Sequence, residues 1–329
     1  MENPGFGAFV VSLDFELRWG VRDRYPPDGG TYRQNLLGAR VAIPRLLDLF
    51  EAYGIAATWA TVGFLFATSR QELDSITPSI LPAYRDPNLS PYQDVLGHSE
   101  VDDPLHFAPS LIEVIRRRPR QEIGCHTFSH YYCLEEGQTR DAFAADIASA
   151  VAIAGRRSAH LRSIVLPRNQ FNREYADVLM DAGLTCYRGN EVGWMYRAAA
   201  DASSRQATAR AARLLDAYLN GSGSNLTHWE DVRQPSGLYN VRSSRFLRPY
   251  SPQFRHLDRL RLHRITQGIR AAAISRRIFH LWWHPHNMGT YTDENLAFLR
   301  LIFEAFTDCS DRYGMRSLSM GEVVDTLNV

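Results

Sequence analysis

Short apolar runs alternating with stretches of helical period are the feature that most narrows what this chain can fold into. Phe9–Asp14 is an apolar run ending in polar residues and reads as a strand. Pro44 marks a helix start, with Leu46, Leu47, Leu49, Phe50 and Tyr53 as an apolar stripe and Gly54 as a cap. A strand over Ile55–Thr61, a helix around Ser110–Arg118 and a strand near Glu122–His126 follow. Next come a helix at about 140–155, a strand at about 162–166, a helix at about 173–182 stopped at Gly183, and a strand at about 184–188. Towards the end, Ile278–His284 reads as a strand, about 293–308 as a helix and 316–318 as a strand. Ser319-Met320-Gly321-Glu322 then carries the capping-box signature of a last short helix. Such alternation implies a parallel sheet, open or closed into a barrel.

The 329 residues fit one α/β barrel, a fold that runs from roughly 200 to over 400 residues. The chain is therefore read as one catalytic domain over 1–329 with two insertions. The first, about 68–109, is rich in Pro, Asp and Ser and reads as a long surface loop. Within it His98, Glu100, Asp102, Asp103 and His106 form a polar cluster that reads as a solvated lid. The second, about 189–277, carries a helical stretch, the turn-rich Gly221–Gly237 and a helix near 253–275.

Composition removes several chemistries. No lysine occurs, and all 37 basic residues are Arg, so Schiff-base chemistry, pyridoxal phosphate attachment and a phosphate-loop lysine are excluded. A formal net charge of +1 argues against a nucleic-acid partner. No apolar run approaches the ~20 residues that span a bilayer, and no signal-peptide pattern opens the chain, so a cytoplasmic protein is expected. Cys125, Cys133, Cys186 and Cys309 have no paired spacing and read as reduced, buried thiols.

Chemistry concentrates at four strand ends, where barrel enzymes keep their catalysts. The first strand ends in Ser12-Leu13-Asp14-Phe15-Glu16, where period two puts both acids on one side. The strand near 122 runs into Cys125-His126-Thr127-Phe128-Ser129-His130, whose two His, four apart, would share one face of a helical turn and suit one cation. A structural zinc site of Cys125, Cys133, His126 and His130 is an alternative for the same stretch. The remaining two ends are Val165-Leu166-Pro167-Arg168-Asn169-Gln170 and Leu281-Trp282-Trp283-His284-Pro285-His286.

Acid pair, His-Thr-x-x-His, proline-containing polar turn, hydrophobic-His-Pro: this order, over about residues 8–290, resembles the polysaccharide deacetylase family (the NodB-homology group, carbohydrate esterase family four). The resemblance implies a distorted parallel (β/α) barrel of about seven strands. It implies one divalent cation, zinc before others, held by His126, His130 and Glu16, the last standing where Asp is usual. Asp14 matches the base and His284 the general acid, with Pro167, Asn169, Leu281 and Trp283 lining the substrate and its acyl methyl. Val165 stands where the family's arginine is usual, so Arg168 takes over the hold on Asp14 or a substrate contact, and its N–H helps form an oxyanion site. The family's Asp-x-x-[Ser/Asp]-Trp motif has no clear match here.

The activity implied is metal-dependent removal of an N-acyl (acetyl) group from an amino sugar or saccharide. Alternatives are a deacetylase or deformylase of a nucleotide- or polyprenyl-phosphate-linked sugar, and a catalytically silent sugar-binding relative. A carrier phosphate would suit the segment between Arg245 and Arg277, where nine Arg face the single acid Asp258.

Overall fold

The computed structural model describes residues 4–192 and 221–328, with Tyr196, Thr208, Ala212, Leu214 and 216–218 between them. The first helical stretch expected in the 189–277 insertion falls largely outside the described residues.

The strands are β1 (Ala8–Phe15), β2 (Ala57–Thr61), β3 (Gln121–Cys125), β4 (Ser163–Ile164), β5 (Cys186–Tyr187), β6 (Tyr239–Asn240), β7 (Arg245–Phe246), β8 (Ile278–Trp283) and β9 (Arg316–Leu318). The helices are α1 (Arg33–Ala52), α2 (Arg70–Ile76), α3 (Pro109–Arg116), α4 (Arg140–Gly155), α5 (Ala176–Asp181), α6 (Asp258–Ser275), α7 (Thr292–Tyr313) and α8 (Met320–Leu327). Every strand pair is parallel, in the order β6-β5-β4-β3-β2-β1-β8-β7, with β9 added on β1. β1 is buried along its whole length, as expected of a strand covered on both faces.

The segment carrying β6 and β7 closes the curl. Tyr239, Val241 and Ser243 donate their N–H groups to the carbonyls of Thr185, Tyr187 and Gly189 beside β5, and Ser244 and Leu247 donate theirs to His280 and Trp282 of β8. Counted as one stave beside β1–β5 and β8, this segment completes a seven-stave distorted barrel. Two-residue strands of this kind carry no alternation, and neither β6 nor β7 is legible in the sequence.

Period two sorts the side chains. Phe9, Val11, Leu13 and Phe15 join the large core beneath the helices, whereas Ala8 and Val10 join a second cluster with Ala60, Val165, Cys186, Val241 and Ile278 inside the barrel. Val323 and Val324 of α8 belong to that inner cluster and stop the barrel's lower end. Above Ala8 and Val10 the same face of β1 carries Ser12 and Asp14, with Glu16 following just past its end, so the interior turns polar towards the strand C-termini.

Several local expectations are corrected. Pro44 lies inside α1, because the buried stripe already runs through Leu36, Ala39, Ala42 and Ile43 and packing outweighs the lost N–H. Gly54 does cap it: with φ 62° its N–H reaches Glu51 and that of Ile55 reaches Phe50, a Schellman pattern. The 68–109 loop contains α2, capped by Ser69. Part of its polar cluster is tied inward, Glu100 to Arg40 and Ser110 and Asp103 to the buried His106, whereas His98 and Asp102 stay exposed, Asp102 accepting the N–H groups of His98 and Ser99. Ser319 and Glu322 make both bonds of the capping box.

Candidate active site

Glu16, just beyond β1, is buried, and one of its oxygens faces two imidazoles. Oε2 lies 3.1 Å from His126 Nε2 and 3.1 Å from His130 Nε2. The two His are not on a helical turn. Residues 126–130 form a loop in which Thr127 (φ 62°) and His130 (φ 59°) adopt the left-handed region, at a cost on the order of 1 kcal/mol each. Asp146 of α4 holds the loop by accepting the N–H groups of Phe128 (2.7 Å) and Ser129 (3.1 Å) and the Ser129 hydroxyl. Thr127 Oγ1 accepts from Tyr131 N at 2.7 Å.

The three donor atoms fit a small divalent cation. Ligands at about 2.0–2.1 Å from a tetrahedral centre stand roughly 3.3 Å apart, close to the 3.1 Å found twice here. His126 Nδ1 lies 2.7 Å from the Val165 carbonyl, which only accepts, so a neutral ring keeps its lone pair on Nε2. That lone pair meets a carboxylate oxygen, an arrangement that calls for a cation between them. His130 Nδ1 is held by the Tyr132 hydroxyl at 3.1 Å. Among the described residues, Glu16, His284 and His286 form a second such group, and no Cys belongs to either. The Cys125–Cys133 zinc alternative is therefore set aside: Cys133 bonds the Gln170 carbonyl.

Asp14 sits two residues deeper on β1. Arg188, just past β5, grips it with Nη1 at 2.7 Å from Oδ1 and Nη2 at 2.8 Å from Oδ2. Burial alone would push the Asp14 carboxyl up, but the Arg188 charge and hydrogen bonds outweigh it and hold it below its ordinary value. Arg188 is itself buried and braced: Ser12 Oγ accepts from Nη1 at 2.9 Å, Asn169 Oδ1 from Nη2 at 2.9 Å, and the Trp282 ring lies 4.0 Å below the guanidinium. Glu16 likewise stays well below the usual carboxylate range, since burial is outweighed by His284, His126 and His130. His284, at the top of β8, has Nε2 3.4 Å from Glu16 Oε1 and 3.7 Å from Asp14 Oδ2.

Asp14, Glu16, His126, His130 and His284 thus share one centre, and Asn169 reaches it through Arg188. Pro167 is buried at the turn after β4. Three residues depart from expectation. Arg168 pairs with Asp23 (2.6 Å) and Glu135 (3.0 Å) and lies over the Tyr132 ring, so it does not hold Asp14. Leu281 and Trp283 point into the helix-covered core, with Trp283 edge-on to Phe50. The alternation that turns His284 inward turns Trp282 inward too, against Arg188 and His284. Arg188 was missed, although the same parity running from Cys186 points it into the barrel.

No protein-family model matches the sequence, and no curated protein does. Solved structures share the fold. A Mycobacterium smegmatis protein described as a polysaccharide deacetylase superposes with a TM-score of 0.62 at 13% identity, over 98% of this chain and 91% of that one. The 4-alpha-glucanotransferase of Thermococcus litoralis gives 0.54 at 10% identity, over 97% of this chain and 40% of that one. The alpha-amylase AmyC of Thermotoga maritima gives 0.51 at 11% identity, over 98% and 75%. One barrel carries differently named enzymes, so the chemistry has to be argued from side chains.

Proposed function

We propose that this chain is a metal-dependent hydrolase that removes an N-acyl group from an amino sugar. The observation that carries the reading is the Glu16 carboxylate facing two Nε2 atoms at 3.1 Å, beside an Asp14 kept ionised by Arg188. Glycosidic cleavage needs one carboxyl kept protonated as the acid. Here the carboxyls of Asp14 and Glu16 are both held low, which disfavours that chemistry for this pair.

Glu16, His126 and His130 would hold the cation, and two imidazoles with one carboxylate suit zinc. When bound there, a divalent cation supplies charge that polarises an amide carbonyl and acidifies water. Asp14, ionised and locked in orientation, accepts the proton of the attacking water. Arg188 keeps Asp14 from turning towards the cation as a further ligand. His284 faces the same space and serves the leaving nitrogen, while Trp282 and Phe246, packed at 4.7 Å, form an apolar wall beside it for the acyl methyl. Mass-spectrometric detection of acyl loss across a panel of N-acetyl and N-formyl amino sugars tests this; no loss from any, with metal bound, would contradict it.

A carrier-linked sugar is the second reading. Of the Arg between 245 and 277, Arg245 and Arg264 turn inward onto Asp216 and Arg261 lies over Phe298. Arg255 and Arg259 are exposed and remain suited to a diphosphate. Arg255→Glu with Arg259→Glu should raise KM for a nucleotide-linked sugar and leave the free sugar unaffected; equal effects on both would remove this reading.

A further inference from the structure

We propose that Tyr32 and Asn287 are positioning residues that fix His284 with its ring proton on Nε2, so that the imidazole offers the centre a hydrogen-bond donor and leaves proton acceptance to Asp14. His284 Nδ1 faces Asn287 Nδ2 at 3.2 Å. An amide nitrogen only donates, so Nδ1 carries the lone pair and Nε2 the proton. The amide is oriented by Tyr32, whose hydroxyl donates to Asn287 Oδ1 at 2.5 Å. That length suits O–H···O and is too short for N–H···O, so the reversed amide, which would turn its nitrogen to the Tyr32 hydroxyl, fails at that contact.

The parts are themselves held. Tyr32 stacks on Tyr25 at 4.9 Å and meets His286 edge-on, and burial pushes its phenol up, which keeps the O–H. The His284 ring is fixed between His286 (5.2 Å, stacked), Trp282 (5.6 Å) and Phe246 (5.7 Å). The backbone N–H of Asn287 donates to the His284 carbonyl at 3.0 Å, which brings the amide alongside the ring.

The mechanistic part rests on the hydrolase reading; the tautomer does not. The water oxygen bonds to the acyl carbon as its proton passes to Asp14. The carbon–nitrogen bond then breaks and Asp14 returns that proton to the leaving nitrogen. His284 donates a hydrogen bond throughout and ends as it began, so the residue that the family resemblance marks as general acid transfers no net proton.

The test is long-range 15N–1H NMR of the zinc-loaded full chain, labelled on histidine rings, with His284 assigned by its loss in His284→Gln. Expected are a protonated Nε2 and a bare Nδ1. Asn287→Asp should move the proton to Nδ1 and lower kcat about 10²-fold with KM little changed. If that variant fails to fold, Tyr32→Phe, which frees the amide, should give a mixture of tautomers. A protonated Nδ1 in the wild type, or variants that leave the tautomer unchanged, would overturn the proposal. The expected tautomer without any acyl release would instead leave the positioning role standing and remove the hydrolase reading.

Discussion

Arg188 and Asp14 meet inside the barrel with two guanidinium nitrogens on two carboxylate oxygens, at 2.7 and 2.8 Å. Removing one member of a buried pair strands the other's charge, at a cost of about 3–5 kcal/mol. Arg188→Met should lose stability on that scale and nearly all turnover. Asp14→Asn combined with Arg188→Met should recover much of the stability and none of the activity. Urea denaturation of the four proteins checks this, and strictly additive losses would show that the pair is not coupled.

Asp146 touches no proposed ligand, yet it accepts the N–H groups of Phe128 and Ser129 between them. Asp146→Ala should release the left-handed loop and weaken zinc binding by roughly 10–100-fold, the usual effect of losing an outer-shell partner. Competition with a chromophoric chelator measures it. Unchanged affinity would mean that the loop holds its shape without Asp146.

Asp216, paired with Arg245 of β7, gives the molecule an acid-sensitive joint. Burial pushes its carboxyl up, but Tyr196, Ser222 and Arg245 outweigh this and bring it down to about 2. A folded-state value below the unfolded one means stability that is present above roughly pH 4 and lost as pH falls towards 2, by about 2 kcal/mol. The Tm gap between wild type and Asp216→Asn should therefore shrink between pH 5 and pH 2. A gap constant with pH would contradict the assignment.

Much of this was readable in the residues because it is periodic or local. β1, β8, the α8 capping box and the His126–His130 spacing follow from alternation or from pairs a few residues apart. The seventh stave did not, since β6 and β7 gain their identity only from the carbonyls of β5 and β8. Nor did the hold on Asp14: its arginine lies 174 residues away in sequence, and Arg168, nearer the family's motif, is engaged with Asp23 and Glu135. Strand parity separates Trp282 from Trp283, whereas a motif specifies residues and not faces. The inward turn of Arg245 and Arg264 depended on Asp216, which no local pattern links to them.

Zinc reconstitution followed by turnover tests the central claim most directly. Protein stripped with a chelator should be inactive on its N-acyl sugar and regain full turnover at one equivalent of zinc per chain. Asp14→Asn should take up the same single equivalent and stay inactive, and His126→Ala or His130→Ala should neither bind nor turn over. Turnover that survives complete stripping, or an Asp14→Asn protein as active as wild type, would contradict a centre in which Glu16, His126 and His130 hold the cation and Asp14 takes the proton.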